Sequence, residues 1–195
     1  MKRIFMLTTV ALMLATAMAL SGVAQAKPIS GSPDAKCTKL TIKTLGPSFN
    51  PSNYTFIGGT AGNDDFSGAT EGPDVFCGFG GNDSIPNLEA GDIFLGGEGN
   101  DYVNGNYGAF LGGEGNDQVS KNFGTGIVYG GEGNDQVSEN LGTFYGREDD
   151  DSVGNNYGTF YGGSGDDVLN ENFGTFYGGV GNDSVDNNNG IFVQD

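Results

Sequence analysis

Eight aspartates recur along the chain at a near-constant interval. They are Asp64, Asp83, Asp101, Asp117, Asp135, Asp151, Asp167 and Asp183, separated by 19, 18, 16, 18, 16, 16 and 16 residues. Most close a glycine-rich hexapeptide such as Gly96-Gly97-Glu98-Gly99-Asn100-Asp101. If successive copies stack as β coils they lie ~4.8 Å apart. Two carboxylates at that distance repel by about 3.5 kcal/mol at an effective dielectric of about 20. A cation between the coils turns that repulsion into ligation. The available ligands, Asp carboxylates and backbone carbonyls, are all oxygen, which selects a hard cation. Ca²⁺ accepts irregular coordination by six to eight oxygens, whereas Mg²⁺ demands a tight octahedron and holds its water. The glycines permit positive φ and let carbonyls approach an ion with no Cβ in the way.

The elements that must position these aspartates are written in the repeat. Aligned on Gly-Gly pairs, blocks start at Gly96, Gly112, Gly130, Gly146, Gly162 and Gly178, spaced 16, 18, 16, 16 and 16. Each holds two short β-prone segments, such as Gln136-Val137-Ser138 and Thr143-Phe144-Tyr145, bounded by Gly, Asn and Asp turns. One such coil cannot bury its own apolar face, but stacked coils can, so the expected fold is an all-β parallel β-roll or β-solenoid over residues 57–195. Between Ile57 and Phe94 acidic turns fall at Asp64, Asp74, Asp83 and Asp92, read as half-coils alternating between two walls. Asp74 and Asp92 share the second wall. Beyond Asp101 that wall carries Asn106, Asn122, Asn140, Asn156, Asn172 and Asn188 instead. Eight turns on the first wall leave at most seven gaps for ions.

Composition excludes several functions. With no His and two Cys among 195 residues, the chain has no Ser-His-Asp or Cys-His machinery and no His or Cys₄ zinc site. Eight basic against 25 acidic residues give a net charge of −17, which argues against nucleic acid and anionic membranes. No Gly-rich turn leads into Lys-Ser/Thr, so there is no phosphate loop. Asp149 to Gly154 starts like an EF-hand loop, but Val153 and Phe160 stand where ligands are needed. Acid pairs for glycoside hydrolysis abound, yet repetition makes each acid equivalent to its neighbours, whereas catalysis needs one distinctive place. No enzyme activity is expected.

Residues 1–26 read as a secretory signal peptide. Met1-Lys2-Arg3 is basic, Ile4 to Leu20 is mostly apolar, and Ala24-Gln25-Ala26 is a small-x-small cleavage site; a membrane anchor is the alternative. The expected location is therefore secreted, with no membrane insertion. Residues 27–56 form an N-terminal head. Cys37 in the head and Cys77 in the body suggest a disulfide in an exported chain, with two free thiols as the alternative.

The run Gly96-Gly97-Glu98-Gly99-Asn100-Asp101-Tyr102-Val103 and its copies fit the pattern GGxGxDxUx, with U apolar. This body resembles the repeats-in-toxin family of hemolysin-type calcium-binding repeats. The resemblance covers about residues 57–195 and implies several Ca²⁺ ions held between adjacent turns. Their ligands would be the sixth-position Asp and carbonyls of the Gly loop: Gly96, Gly97 and Gly99; Gly112, Gly113 and Gly115; Gly130, Gly131 and Gly133; Gly162, Gly163 and Gly165; Gly178, Gly179 and Gly181. The chain departs from the pattern in three places. Arg147 and Asp149 replace glycines, and Arg147 is placed to neutralise its acidic neighbours. Asp64 and Asp74 are read in loops one residue too long. The turn at Asp92 lacks its Gly pair.

Phe94, Phe110, Val128, Phe144, Phe160, Phe176 and Phe192, with Val103, Val119, Val137, Val153, Leu169 and Val185, are the expected core. Tyr129, Tyr145, Tyr161 and Tyr177 should point outward as an aromatic ladder by strand alternation; a carbohydrate platform is the alternative. The Asn column is expected to be a turn ladder. Two other functions compete with calcium binding. One is an extracellular surface, matrix or adhesion module in which calcium is structural and the C-terminal edge at Ile191-Phe192-Val193 pairs with another chain. The other is an ice-binding roll, which wants Thr or Asn columns where Glu98, Glu114 and Glu132 stand.

Overall fold

The computed structural model describes residues 33–67 and 72–194. The expected signal peptide, the first residues of the head and the turn before Asp74 lie outside them. The body is a parallel β-solenoid of about eight turns. Its larger sheet has nine strands: β1 Thr55–Gly58, β2 Asp74–Gly80, β4 Ile93–Glu98, β6 Ala109–Glu114, β8 Ile127–Glu132, β10 Thr143–Glu148, β12 Thr159–Ser164, β14 Thr175–Val180 and β16 Ile191–Val193. The smaller has seven: β3 Ser84–Leu88, β5 Tyr102–Asn106, β7 Gln118–Asn122, β9 Gln136–Asn140, β11 Ser152–Asn156, β13 Val168–Asn172 and β15 Ser184–Asn188. Each coil contributes one strand to each sheet. Like residues therefore stack on like: Phe144 pairs with Phe160, Tyr145 with Tyr161, and Val153 with Leu169.

Strand alternation sends the second residue of each strand from β3 onward inward, and the third on β1 and β2, Ile57 and Phe76, which share its register. The expected core residues meet there, joined by Phe66, Phe76, Ile85 and Leu88. Phe144, Phe160, Phe176 and Phe192 stack with centroids 4.6 to 5.0 Å apart. The tyrosine column faces outward, with Tyr129, Tyr145, Tyr161 and Tyr177 stacked at 4.8 to 4.9 Å and nearly parallel. Ring faces spent on one another present only their edges to solvent, which favours the ladder over a sugar platform.

The head contains a helix that the repeat pattern does not announce, α1, Pro33–Leu45. Pro33 opens it, Asp34 sits in its first turn and Lys43 in its last, and Gly46 at φ 87° closes it. The helix lies over the outer face of the first strands, where Cys37, Leu45, Tyr54, Val75, Cys77, Ile93 and Leu95 form a second core. The Cys37–Cys77 disulfide fastens it to β2, and the Gly58 N–H donates to Asp34 Oδ1 at 3.1 Å.

On the second wall the asparagines form the expected ladder, and it lies inside the coil. Asn106, Asn122, Asn140, Asn156 and Asn172 are fully buried. Each Nδ2 donates to the Oδ1 of the next coil's Asn at 2.8 to 3.0 Å, and to a backbone carbonyl such as Ile127 O or Thr143 O. Asn140→Ala should leave a buried donor on Asn122 and a buried acceptor on Asn156. A loss of about 2–4 kcal/mol is expected, read as a lower urea midpoint.

Candidate metal centre

The first wall is built from six-residue loops joining the two sheets. The second and fourth loop positions have positive φ: Gly97 and Gly99, Gly113 and Gly115, Gly131 and Gly133, Gly163 and Gly165, Gly179 and Gly181. A Cβ at Gly113 would also overlap the Gly97 carbonyl. The first glycine has a different reason. A Cβ on Gly96 would overlap Asp101 Oδ2 and lie 2.7 Å from the Gly112 carbonyl oxygen. The same crowding of Asp Oδ2 recurs at Gly78, Gly112, Gly130, Gly146, Gly162 and Gly178. The first glycine is thus the floor of a small oxygen-lined cradle.

The sixth-position aspartates turn inward into that cradle. Asp83, Asp101, Asp117, Asp135, Asp151 and Asp167 are almost wholly buried. Each Oδ1 accepts the backbone N–H of the aspartate one coil earlier: Asp64 to Asp83, Asp83 to Asp101, Asp101 to Asp117, Asp117 to Asp135, Asp135 to Asp151 and Asp151 to Asp167, at 2.7 to 2.9 Å. The same bond continues from Asp167 N–H to Asp183 at 2.9 Å. Each of the six Oδ2 atoms is buried with no hydrogen-bond partner. The carboxylates therefore do not simply face one another across the gaps, as pairwise repulsion between stacked acids would require. One oxygen of each is satisfied by an N–H, and only the other is left over.

The two ends differ. Asp64 Oδ2 accepts the Thr60 N–H at 2.7 Å and the Thr60 hydroxyl at 3.1 Å. Asp183 Oδ2 accepts Gln194 Nε2 at 2.9 Å. The loop at Asp64 is also of ordinary length. Gly59, not Gly58, is its first residue, since Gly58 pairs with Cys77 on the strand and a Cβ on Gly59 would meet Asp64 Oδ2 at 2.6 Å. On the second wall Asp92 is fully engaged, accepting Asp74 N–H at 2.9 Å and Glu89 N–H at 3.2 Å. Asp74 is buried beside it, away from the first-wall column.

Arg147 does not neutralise the aspartates. Its guanidinium turns to the outer face and sits 4.8 Å from the Tyr129 ring centroid. Arg147 and Asp149 take the left-handed φ values of the glycines they replace, 96° and 72°. Asp151 keeps its place in the column.

A second rail runs beside the aspartates, and the motif alone does not reveal it. The fifth loop residue is Asn or Asp in every copy, and at six of the seven junctions, all but Asn134–Asp150, its Oδ1 accepts the N–H of the equivalent residue one coil later. Asn63 takes Asn82, Asn82 takes Asn100, Asn100 takes Asn116, Asn116 takes Asn134, Asp150 takes Asp166 and Asp166 takes Asn182. The fifth-position rail reaches forward and the sixth-position rail reaches back.

Among the described residues no three acidic or thiol side chains converge on one point. A cation here would be held by one carboxylate oxygen per coil and otherwise by carbonyls. Six buried Oδ2 atoms without partners among the described residues, each packed against the first glycine of its loop and, at Gly78, Gly96, Gly112, Gly146 and Gly162, beside the carbonyl oxygen of the next coil's first glycine, fit a hard cation such as Ca²⁺. No family model, no curated protein and no solved structure matches the chain.

Burial, opposed by the N–H bonds, raises the carboxyl pKa of Asp83 to about 6, Asp101 and Asp117 to about 8, Asp135 and Asp167 to about 7, and Asp151 to about 9. Folded-state values above the unfolded value favour folding at low pH. That contribution is complete below about pH 4 and is lost as pH rises through 6 to 9. In EDTA the thermal midpoint should therefore fall as pH is raised from 5 to 9. Asp117→Asn, which carries no proton to lose, should flatten that fall.

Proposed function

We propose that the chain is a calcium-binding β-roll whose folding is coupled to Ca²⁺. The observation that supports it is the column of six buried Asp Oδ2 atoms without partners, Asp83 to Asp167. An unpaired buried oxygen costs about 1–3 kcal/mol, more when charged. Six are comparable with a domain's whole net stability of about 5–15 kcal/mol. At neutral pH the column needs protons or cations, and its donor set of carboxylate and glycine carbonyls suits Ca²⁺. Bound Ca²⁺ supplies positive charge to oxygens that have no donor. The chain supplies the rest: Oδ1 anchored to the preceding coil, and a first glycine with no Cβ to obstruct Oδ2.

The resemblance to repeats-in-toxin modules agrees with this reading. The Cys37–Cys77 disulfide accords with an oxidising, extracellular location. No helix among the described residues is long and apolar enough to cross a membrane. The repeated, equivalent acids suit ion binding better than catalysis.

A second reading is an extracellular structural module that associates through its C-terminal edge. The edge strand β16 is uncovered there, with Ile191 59% exposed, and nearby Val180 is 75% exposed. Sedimentation equilibrium tests it, with self-association expected in Ca²⁺ and its loss in Ile191→Lys.

Circular dichroism tests the principal reading. In EDTA at pH 8 the chain should show little β signal. It should gain β signal cooperatively at ~10⁻⁴–10⁻³ M Ca²⁺ and not with Mg²⁺. A β spectrum in EDTA that neither ion alters would sink the proposal. Asp117→Asn should raise the Ca²⁺ midpoint several-fold.

A further inference from the structure

The strand register places position 194 in line with the first glycine of each loop. Tyr177 pairs with Val193, so the residue after each, Gly178 and Gln194, occupies the same place one coil apart. In the preceding coils a Cβ at this place collides with the carboxylate of its own loop. Gln194 stands there instead, and its side chain reaches back across the gap. Its Nε2 donates to Asp183 Oδ2 at 2.9 Å and to the Gly181 carbonyl at 3.1 Å. These are the two kinds of oxygen, sixth-position carboxylate and loop carbonyl, that make up the donor set of the inner gaps. In the inner coils the same Oδ2 has no donor among the described residues.

We infer that Gln194 is a built-in plug: its carboxamide stands in for a cation beside Asp183, so Asp183 holds no ion. The first coil ends the column by another route. There Thr60 takes the second loop position, and its N–H and hydroxyl fill the acceptor on Asp64. The cation positions are then the six at Asp83, Asp101, Asp117, Asp135, Asp151 and Asp167, the eight aspartates less Asp64 and Asp183. The carboxamide suits the role. It offers two N–H hydrogens to two oxygens, is neutral, and stays in place whatever the Ca²⁺ concentration. The last coil thereby has its carboxylate paired in the absence of ions, where an open Asp183 would be one more unpaired acceptor.

This inference rests on the calcium reading, and the test separates the two. Native mass spectrometry of the intact chain at saturating Ca²⁺ counts bound ions in the native protein, Asp183→Asn, Asp151→Asn and Gln194→Glu. Asp183→Asn should bind as many ions as the native chain, and Asp151→Asn at least one fewer. Gln194→Glu should bind one more, because a second carboxylate then faces Asp183. In EDTA at pH 5, Gln194→Ala should speed amide exchange in Ser184–Asn188 and Ile191–Val193 about 10-fold, a readout independent of metal. An ion lost in Asp183→Asn, an unchanged count in Gln194→Glu, or exchange unaltered by Gln194→Ala overturns the plug and leaves the calcium reading standing. No ions bound to any of the four chains overturns both.

Discussion

An aspartate buried on the inside of a coil, with one oxygen bonded and one left over, is the constraint on which the rest of this structure depends. A carboxylate only accepts hydrogen bonds. The backbone N–H of the preceding coil satisfies Oδ1, which sets the coil-to-coil register along the first wall. No group among the described residues satisfies Oδ2 in six successive coils. The apolar interior makes this arrangement tolerable. Burying a phenylalanine contributes about 1.5–3 kcal/mol, and Phe94, Phe110, Phe144, Phe160 and Phe176 are all fully buried. The core thus offsets a column of unpaired oxygens, but with little margin once the charge is counted.

The two walls solve the same geometric problem with different chemistry. Both place one polar side chain per coil inside the solenoid. On the second wall it is a carboxamide, which has a donor as well as an acceptor, so Asn106 to Asn188 bond each to the next, and among the described residues only the first acceptor, Asn106 Oδ1, is buried without a partner. On the first wall it is a carboxylate, which cannot pair with its own copy unless it is protonated. Exchanging Asn for Asp leaves the shape of the coil nearly unchanged. It lets one wall pair almost wholly with itself and leaves one oxygen per coil unpaired on the other. The unpaired oxygen lies on the wall whose loops are rich in glycine, where carbonyls approach closely. At the second wall's early turns, Asp92 is satisfied by two N–H donors and carries no unpaired oxygen.

Repetition makes much of this readable in the residues alone. A 16-residue period with apolar residues at fixed offsets places Phe144 over Phe160 and Val153 over Leu169 without reference to coordinates. The aspartate column follows from the same register. Features that occur once are not readable in that way. Helix α1 has no repeat to average over, and its apolar face is defined by the outer side of the sheet it packs against. The frame of the Asp64 loop is ambiguous in the sequence because Gly58 and Gly59 look alike, and only the pairing of Gly58 with Cys77 shows which one starts the turn. The inward direction of the asparagines depends on whether the second arm closes before or after them. Gln194 is visible as a non-glycine in a glycine register, but a single polar residue beyond the last complete loop carries meaning only once its side chain is seen against Asp183.

The loop that carries Arg147 shows how firmly neighbouring coils impose the loop geometry. Two side-chain-bearing residues, Arg147 and Asp149, occupy left-handed backbone positions at a cost of about 1–3 kcal/mol each. Such strain persists only where the surroundings over-determine the conformation. Here the coils before and after hold Asp151 through hydrogen bonds in both directions. Part of the cost is met locally: the guanidinium rests on Tyr129, and Asp149 Oδ2 accepts the Gly133 N–H at 3.0 Å. The outer rim of the loop therefore varies in charge and bulk while the inner rail does not move. That division accounts for why the first glycine of the loop is kept at Gly146, where a Cβ would collide with the carboxylate of Asp151, even as the second and fourth are lost. Only the first lines the inner column; the others shape the rim.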